Sequence, residues 1–499
     1  MKTLPKSLAL AALLALPAAA EDVPHIRVAQ GELAGFKDRG ADAYLDIPFG
    51  AAPVGDLRWK APAPPPAWQG VRDATKFGPA CMQQDAKPQA PWSIEYFVAP
   101  PYSEDCLSLN VWTTPGKGKA VALFIPGGGF NQGGGGVPIY NGAEIAKAGI
   151  VFVTMNYRLS AAGFLASSAL AAESSSHASG DYTLMDILAA LHWLHENAAT
   201  FGGDPGKITV MGQSAGAAAI VALLHSPQAK GLFRGAIIDS GVRAGARTAG
   251  NAERERMSTD WAASLGATSL DQMRALPASA LIPVKGTPFH FAPSTDGAVL
   301  PDGPILVDVP ILTGWNAGEG SVGSGRLLTT PVNRADFEKQ ENTALGANAP
   351  SILALYPSGA DAQTAARQAG HDATMMGGAA WAAARPGHAP LYYYDFEHVM
   401  PGDTAADWGS YHSSELPYVF NTLHVLNRPW TETDTKVGAL LQAYWVNFIK
   451  TGDPNGDALP HWAAFDAAKD EVMALGPAPH MRPIAEPARI QAFNRAFSN

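Results

Sequence analysis

Ile208-Thr-Val-Met-Gly-Gln-Ser-Ala-Gly216, continued by Ala217 to Leu224, is the stretch on which the fold turns. It reads as a strand, a tight turn with Gly212 and Gly216 on either side of Ser214, and then an Ala-rich helix. A serine placed as a nucleophile at such a corner needs small neighbours, because the backbone is strained there and adjoining chain must come close. The helix that starts just after Ser214 turns unpaired N–H groups and its positive end toward developing negative charge. A structural serine in an ordinary strand–helix turn could share the five-residue spacing. The pattern gains weight from the strand before it and the helix after it.

A second segment, Ile125-Pro-Gly-Gly-Gly-Phe130, follows another apolar run. Three consecutive glycines let backbone N–H groups turn inward toward a substrate oxygen, although a flexible loop is the competing reading, and Gly133 to Gly136 reads as one. With the N–H of Ala215, those of Gly128 and Gly129 are the expected donors of a three-donor oxyanion hole, each donor commonly worth about 3–4 kcal/mol of barrier.

Outward from these two segments, short apolar runs recur at Val121–Ile125, Ile150–Thr154, Ile208–Met211, Ala236–Asp239, Val309–Thr313 and Leu391–Phe396. Each is bounded by Gly, Pro, Asn or Ser, as buried strands are. Between several of them lie helical patterns. From Asp186 to Asn197, Ile187, Leu188, Leu191 and Leu194 recur at helical spacing, which predicts one buried face. Alternating strands and helices imply an α/β fold, a mostly parallel sheet covered on both sides. The Ala-rich segments around 245–300 and 325–385 are expected to be helical excursions over the active end of the sheet. Proline-rich Ala61 to Pro66 reads as a surface loop, and no repeat or long linker divides the chain. Residues 21–499 are therefore expected to form one domain.

The first twenty residues stand apart. Lys2 and Lys6 give a basic start, Leu8 to Leu16 is apolar, and Ala18-Ala19-Ala20 offers a small-residue cleavage site. That is the pattern of a secretory signal peptide, too short for a membrane span. A periplasmic or secreted location is expected, with cleavage after Ala20. No later segment is long and apolar enough to cross a bilayer. The net charge of −10 argues against nucleic acid as a partner, since phosphate binding needs clustered Lys and Arg. No zinc-type His/Cys spacing or dinucleotide-binding glycine loop occurs, so neither a metal nor an organic cofactor is expected. The two cysteines, Cys81 and Cys106, suggest a disulfide in an oxidising compartment, two buried thiols being the alternative. Oligomeric state is not readable.

The chain resembles the type B carboxylesterases, the family that includes bacterial para-nitrobenzyl esterases and the cholinesterases. Phe201-Gly-Gly-Asp-Pro leads into Gly212-Gln-Ser-Ala-Gly216 at the family's spacing, and Glu104-Asp-Cys-Leu-Ser-Leu-Asn110 matches its second signature. Ile47-Pro-Phe-Gly, Pro53-Val-Gly-Asp-Leu-Arg-Trp59 and Trp68-Gln-Gly-Val-Arg-Asp-Ala74 match its N-terminal segment. Tyr444-Trp-Val-Asn-Phe with Thr451-Gly-Asp-Pro-Asn455 fits near the end, so the likeness covers nearly all of the chain beyond the leader.

The resemblance implies an α/β-hydrolase fold, ester hydrolysis through an acyl-enzyme, and a Ser–Glu–His triad in that order. The residues alone leave the base open among His371, His388, His398, His412, His424, His461 and His480. The family's histidine precedes an acidic-Leu-Pro-Tyr segment, which here selects His412 in Tyr411-His-Ser-Ser-Glu-Leu-Pro-Tyr418. It would take the proton of Ser214 and return it to the leaving alcohol. For the acid, Glu319 lies beyond the strand Val309–Thr313, where ligand and catalytic groups favour the carboxyl ends of parallel strands. The family places its carboxylate there, with Asp395 and Glu397 as runners-up. Ser240, in Ile238-Asp-Ser-Gly241, resembles a serine that supports the triad from behind. Cys81 and Cys106 match the family's first disulfide, which closes a loop at the mouth of the site, and Trp92, Tyr96, Phe97 and Tyr102 could line that entrance.

This chain departs from the family pattern at Pro126, where His or Tyr is common, and at Gln213, where Glu is usual. Gly318 stands where Asp is frequent, and Ser413 replaces a common Gly. None of these removes a catalytic atom. The readings in competition are a small-molecule carboxylic-ester hydrolase, a narrow-specificity relative acting on a plant phenolic ester, a mycotoxin or a polyester, and a non-catalytic binding or adhesion relative. The last class typically lacks the nucleophile or its base, whereas candidates for all three triad members are present.

Overall fold

The computed structural model describes residues 23–242, 249–283, 286–319, 333–356, 361–403 and 405–497. Its frame is an eleven-stranded sheet. In chain order the strands are β1 (Phe36–Asp38), β2 (Ala41–Pro48), β3 (Ser108–Thr113), β4 (Lys119–Ile125), β5 (Ile150–Met155) and β6 (Gly203–Gln213), then β7 (Gly235–Asp239), β8 (Ile311–Asn316), β9 (Leu391–Phe396), β10 (Glu471–Leu475) and β11 (His480–Pro483). Across the sheet the order is β11-β10-β9-β8-β7-β6-β4-β5-β3-β2-β1.

From β10 across to β5 every neighbouring pair is parallel. The two margins are antiparallel. The mostly parallel α/β sheet is therefore present as expected, as the centre of a mixed one. All six anticipated strands form. Val309–Thr313 is displaced to Ile311–Asn316, because Pro310 has no N–H to give to the ladder and offers only its carbonyl, which accepts from Ala236 N. The strands of the antiparallel margins were not anticipated.

Alternation along the central strands explains why both faces are covered. Val121, Leu123 and Ile125 of β4 belong to one buried cluster, with Val151 and Val153 of β5 and Ile208 and Val210 of β6. Ala120, Ala122 and Phe124 point into the other, with Ile150, Phe152 and Met211. Helices α1 (Tyr182–Asn197) and α2 (Ala215–His225) cover the first face. A long later helix, Glu432–Thr451, covers the second. Helix α1 starts a turn earlier than the periodicity predicted and is buried on more than one face. Even Asp186 lies inside, held by the buried guanidinium of Arg158 at 2.6 Å.

The Ala-rich segments divide in their placement. Within 245–300, helix α3 (Asn251–Ser264) forms, and Ile282, Pro283, Thr287 and Phe289 border Asn131 and Gln132 beside the glycine run. Within 325–385, helices α4 (Arg334–Leu345) and α5 (Ala362–Ala383) form. Helix α5 lies against the sheet rather than over its active end: the Tyr393 hydroxyl of β9 donates to Met375 O, and His371 meets Asp395. Its buried Ala365, Ala366, Ala369, Met375 and Met376 explain the preference for the apolar face. Among the described residues, no helix is long and apolar enough to cross a membrane. Residues 1–20, read as a signal peptide, lie outside the described residues.

Candidate active site

The candidate residues converge because they all follow carboxyl ends of neighbouring parallel strands. Strand β4 runs into Pro126–Gly129, β6 into Ser214 and β8 into Glu319, while His412 lies on the chain that follows β9. Strand order also reverses here, since β5 lies to one side of β4 and β6 to the other. Such a switch point leaves a crevice at the strand ends.

Ser214 sits at the corner between β6 and α2 with φ 55° and ψ −120°, a backbone region costly for any residue with a side chain. The corner is over-determined by its surroundings. Ser214 N donates to Asp239 O at 2.9 Å, and Ser214 O accepts from Ala218 N at 2.9 Å. The flanking glycines are sterically required. A Cβ on Gly216 would lie 2.0 Å from Ile125 O, and one on Gly212 would lie 2.7 Å from the Gly216 carbonyl carbon.

The glycine run is built the same way. Gly128 and Gly129 have φ 121° and 63°, and a Cβ on Gly128 would meet Gln132 O at 2.1 Å. Their carbonyls are tied back: Gly128 O accepts from the amides of Asn131 and Gln132, and Gly129 O accepts from Asn131 Nδ2 at 2.9 Å. Among the described residues, no acceptor meets the N–H of Gly128 or Gly129. Ala215, the first residue of α2, has no intrahelical acceptor for its N–H.

His412 Nδ1 lies 2.8 Å from Glu319 Oε2. The other oxygen of Glu319 accepts from Ser240 Oγ at 2.6 Å, with Asn316 N at 3.4 Å. Glu319 is only 4% exposed. Burial works against its ionisation, but the charge of His412 and the hydrogen bonds from His412, Ser240 and Asn316 outweigh it and hold the carboxyl below its usual range. The opposite edge of the imidazole, Nε2, meets Gln213 Nε2 at 3.0 Å.

The alternatives lie elsewhere. Asp395 is buried between His371 and Arg482, and Glu397 pairs with the same arginine. Of the remaining histidines, His398 is bound by Asp434 at 2.8 Å. Cys81 and Cys106 are bonded, with Cα atoms 5.0 Å apart. Within the loop they close, Trp92 pins the carbonyl of His412 through its indole N–H at 3.0 Å, and Tyr96 is buried, its hydroxyl 3.1 Å from that of Tyr411. Arg58, in one N-terminal motif, pairs with Glu104 of the second signature at 2.6 Å and anchors the base of that loop.

Three participants escaped the sequence reading. Glu415 is buried, and Asn316 Nδ2 donates to its Oε2 at 2.5 Å, so Asn316 lies between Glu319 and Glu415. Burial raises the Glu415 carboxyl to about 7, the Asn316 hydrogen bond opposing and the nearby Glu319 charge adding. The contact between Gln213 and His412 is the third. Only Glu415 had a signal, as the acidic residue three positions after the histidine, in the same motif. One departure acquires a cost and another a reason. Ser413 has φ 75°, a conformation that glycine adopts freely and that strains a serine. At Gly318 a Cβ would sit 2.5 Å from Ser410 O and 2.7 Å from Trp408 O, which excludes Asp. Among the described residues, no group of three or more His, Cys, Asp and Glu is placed to hold a metal ion.

Comparison with known proteins gives the same outline. The family model described as the carboxylesterase family matches residues 22–493. The chain is 34% identical to fumonisin B1 esterase of Sphingopyxis macrogoltabida, over 93% of this chain and 88% of that one. It is 33% identical to para-nitrobenzyl esterase of Bacillus subtilis, over 89% and 93%. It is also 31% identical to phenmedipham hydrolase of Pseudarthrobacter oxydans, over 91% and 95%. A solved para-nitrobenzyl esterase superposes with a TM-score of 0.76 at 29% identity, covering 94% of this chain and 99% of its own. The chain belongs to the carboxylesterase family, with the α/β-hydrolase fold, and is a carboxylic-ester hydrolase.

Proposed function

We propose that the protein is an exported serine esterase that cleaves small carboxylic esters through an acyl-enzyme on Ser214, with His412 as general base and then general acid and Glu319 as its orienting carboxylate. The observation that carries this reading is the 2.8 Å contact between His412 Nδ1 and a buried, ionised Glu319. That contact fixes the proton on Nδ1 and leaves a lone pair on Nε2, the edge that meets Gln213, the residue before Ser214. In the first half-reaction Ser214 Oγ adds to the ester carbonyl carbon while its proton passes to Nε2. The N–H groups of Gly128, Gly129 and Ala215 receive the carbonyl oxygen as it becomes negative. The imidazolium returns the proton to the leaving alcohol, and water repeats the sequence to release the acid. Ser240 holds Glu319 from behind.

Residues 21–499 are read as one catalytic domain, supported by a single sheet whose strands span Phe36 to Pro483. Export rests on the basic-apolar-small pattern of residues 1–20 together with the Cys81–Cys106 bond. A narrower task on a mycotoxin ester draws on the fumonisin B1 esterase relative, and one on an aryl ester on the para-nitrobenzyl esterase relative.

The test is hydrolysis of a panel of short acyl, aryl and polycarboxylate esters by wild type and Ser214→Ala. Turnover should fall by about 10⁴-fold or more in the variant. A wild type inert toward every ester would favour a non-catalytic binding protein.

A further inference from the structure

Gln213 ends β6, one residue before Ser214, and is 2% exposed. Its side-chain nitrogen lies 3.0 Å from His412 Nε2. At its other end, Oε1 faces the glycine run closely enough that a Cβ on Gly127 would lie 2.7 Å from it. The amide is thus wedged between the candidate base and the candidate oxyanion loop.

The protonation of the imidazole fixes the direction of this contact. An ionised carboxylate only accepts, so Glu319 requires a proton on His412 Nδ1. A neutral ring then has a lone pair on Nε2, and the Gln213 N–H donates to it. That is the same lone pair the Ser214 hydroxyl needs. When Nε2 gains a proton the contact would set donor against donor, and reversing the amide relieves it by presenting Oε1. Asn and Gln amides have nearly the same shape in both orientations, so reversal needs no new space.

We propose that Gln213 is a positioning residue that occupies Nε2 of His412 in the resting enzyme, yields it to Ser214 during attack, and reverses its amide to accept from the imidazolium. The inference rests on the Ser214–His412–Glu319 reading. Its consequence is a neutral side chain at position 213 beside Nε2, where a glutamate would favour the protonated base. Glu319 and Glu415 are among the ionisable groups that interact with His412. Both are unchanged in the variants below, so differences between pH profiles report residue 213.

The test uses Gln213→Glu and Gln213→Met in the mature protein, following kcat/KM for an aryl ester and the rate of phosphonylation by a fluorophosphonate across pH. Gln213→Glu can accept but not donate, so the acidic limb of both profiles should move up by about one pH unit. Gln213→Met can do neither, and since the bond to the charged imidazolium is the stronger of the two lost, its limb should move down. Its plateau phosphonylation should rise a few-fold, because the base is no longer occupied. Limbs within about 0.2 pH unit of wild type in both variants would overturn the proposal, even with a lower kcat, since packing damage alone does not move an ionisation. If wild type is labelled at Ser214 and the limbs coincide, only the role of Gln213 fails. If the label falls on another residue, the triad reading itself fails.

Discussion

Glu319 divides its two oxygens between His412 and Ser240, one 2.8 Å from Nδ1 and the other 2.6 Å from Oγ. A buried carboxylate satisfied on both oxygens cannot rotate away from the ring it orients, and its ionisation is maintained by the same partners.

Glu319→Gln keeps this shape but offers an N–H where Nδ1–H needs an acceptor. Turnover should fall by at least about 10²–10³, by the tautomer mechanism that costs serine proteases about 10⁴. Ser240→Ala removes one hydrogen bond to a charged group, commonly worth about 1.5–3 kcal/mol, and should cost about tenfold. Steady-state kinetics with circular dichroism as a folding control separates these from global damage.

Asp395→Asn should behave in the opposite way. Asp395 is committed to His371 and Arg482, so the variant should lower the melting temperature and leave the kcat of the folded fraction within about tenfold. Glu397→Gln, at an exposed partner of Arg482, should change neither by much. A dead Asp395→Asn beside an active Glu319→Gln would reassign the acid.

The wild-type rate should rise with pH as the histidine base loses its proton, with Glu415, raised to about 7 and interacting with it, titrating in the same window. Stability should follow two carboxylates with opposite signs. Glu319 is held below its usual value, so its contribution is present above that value and lost as pH falls through its folded one. Glu415 is raised from 4.5 to about 7, so its contribution is full below 4.5 and lost as pH rises to about 7. That difference corresponds to about 3 kcal/mol. Glu415→Gln should flatten the decline across this window while leaving the acid-side loss in place, as denaturant titrations at several pH values would measure.

The Cys81–Cys106 bond closes a loop with a sequence separation of 25. In the chain-entropy model it contributes about 3–4 kcal/mol, so the double Ser variant should unfold at lower denaturant by that amount. Activity should fall as well, because Trp92 in the loop holds the His412 carbonyl. Equal stability of the two proteins would leave the bond without this role.

Gly318→Asp installs the residue that relatives often carry, and here it should be harmful. The new Cβ would press on Ser410 O and Trp408 O, both backbone atoms that cannot swing aside. A loss of about 1–3 kcal/mol is expected for such overpacking, read as a lower melting temperature.

The parallel centre of the sheet was legible because its strands are buried on both faces and read as unbroken apolar runs, from Val121–Ile125 to Leu391–Phe396. The margins were not, since short strands such as Phe36–Asp38, with two adjacent charged residues, resemble loop. Ser214 was singled out as a candidate locally because a strained corner demands glycines at fixed offsets. His412 and Glu319 could not, since a lone histidine or glutamate carries no local signature, and only the resemblance to a family singled them out. Gln213, Asn316 and Trp92 were illegible for a related reason. Their parts depend on contacts across the fold, 199 residues for Gln213 and 320 for Trp92.

The most direct test of the central claim is covalent labelling with an organophosphate or sulfonyl fluoride, followed by intact-protein mass spectrometry and peptide mapping. One adduct per chain, located on Ser214 and forming in step with complete loss of ester hydrolysis, is the predicted result. An adduct on any other serine, or full hydrolytic activity in a Ser214→Ala variant, would contradict it.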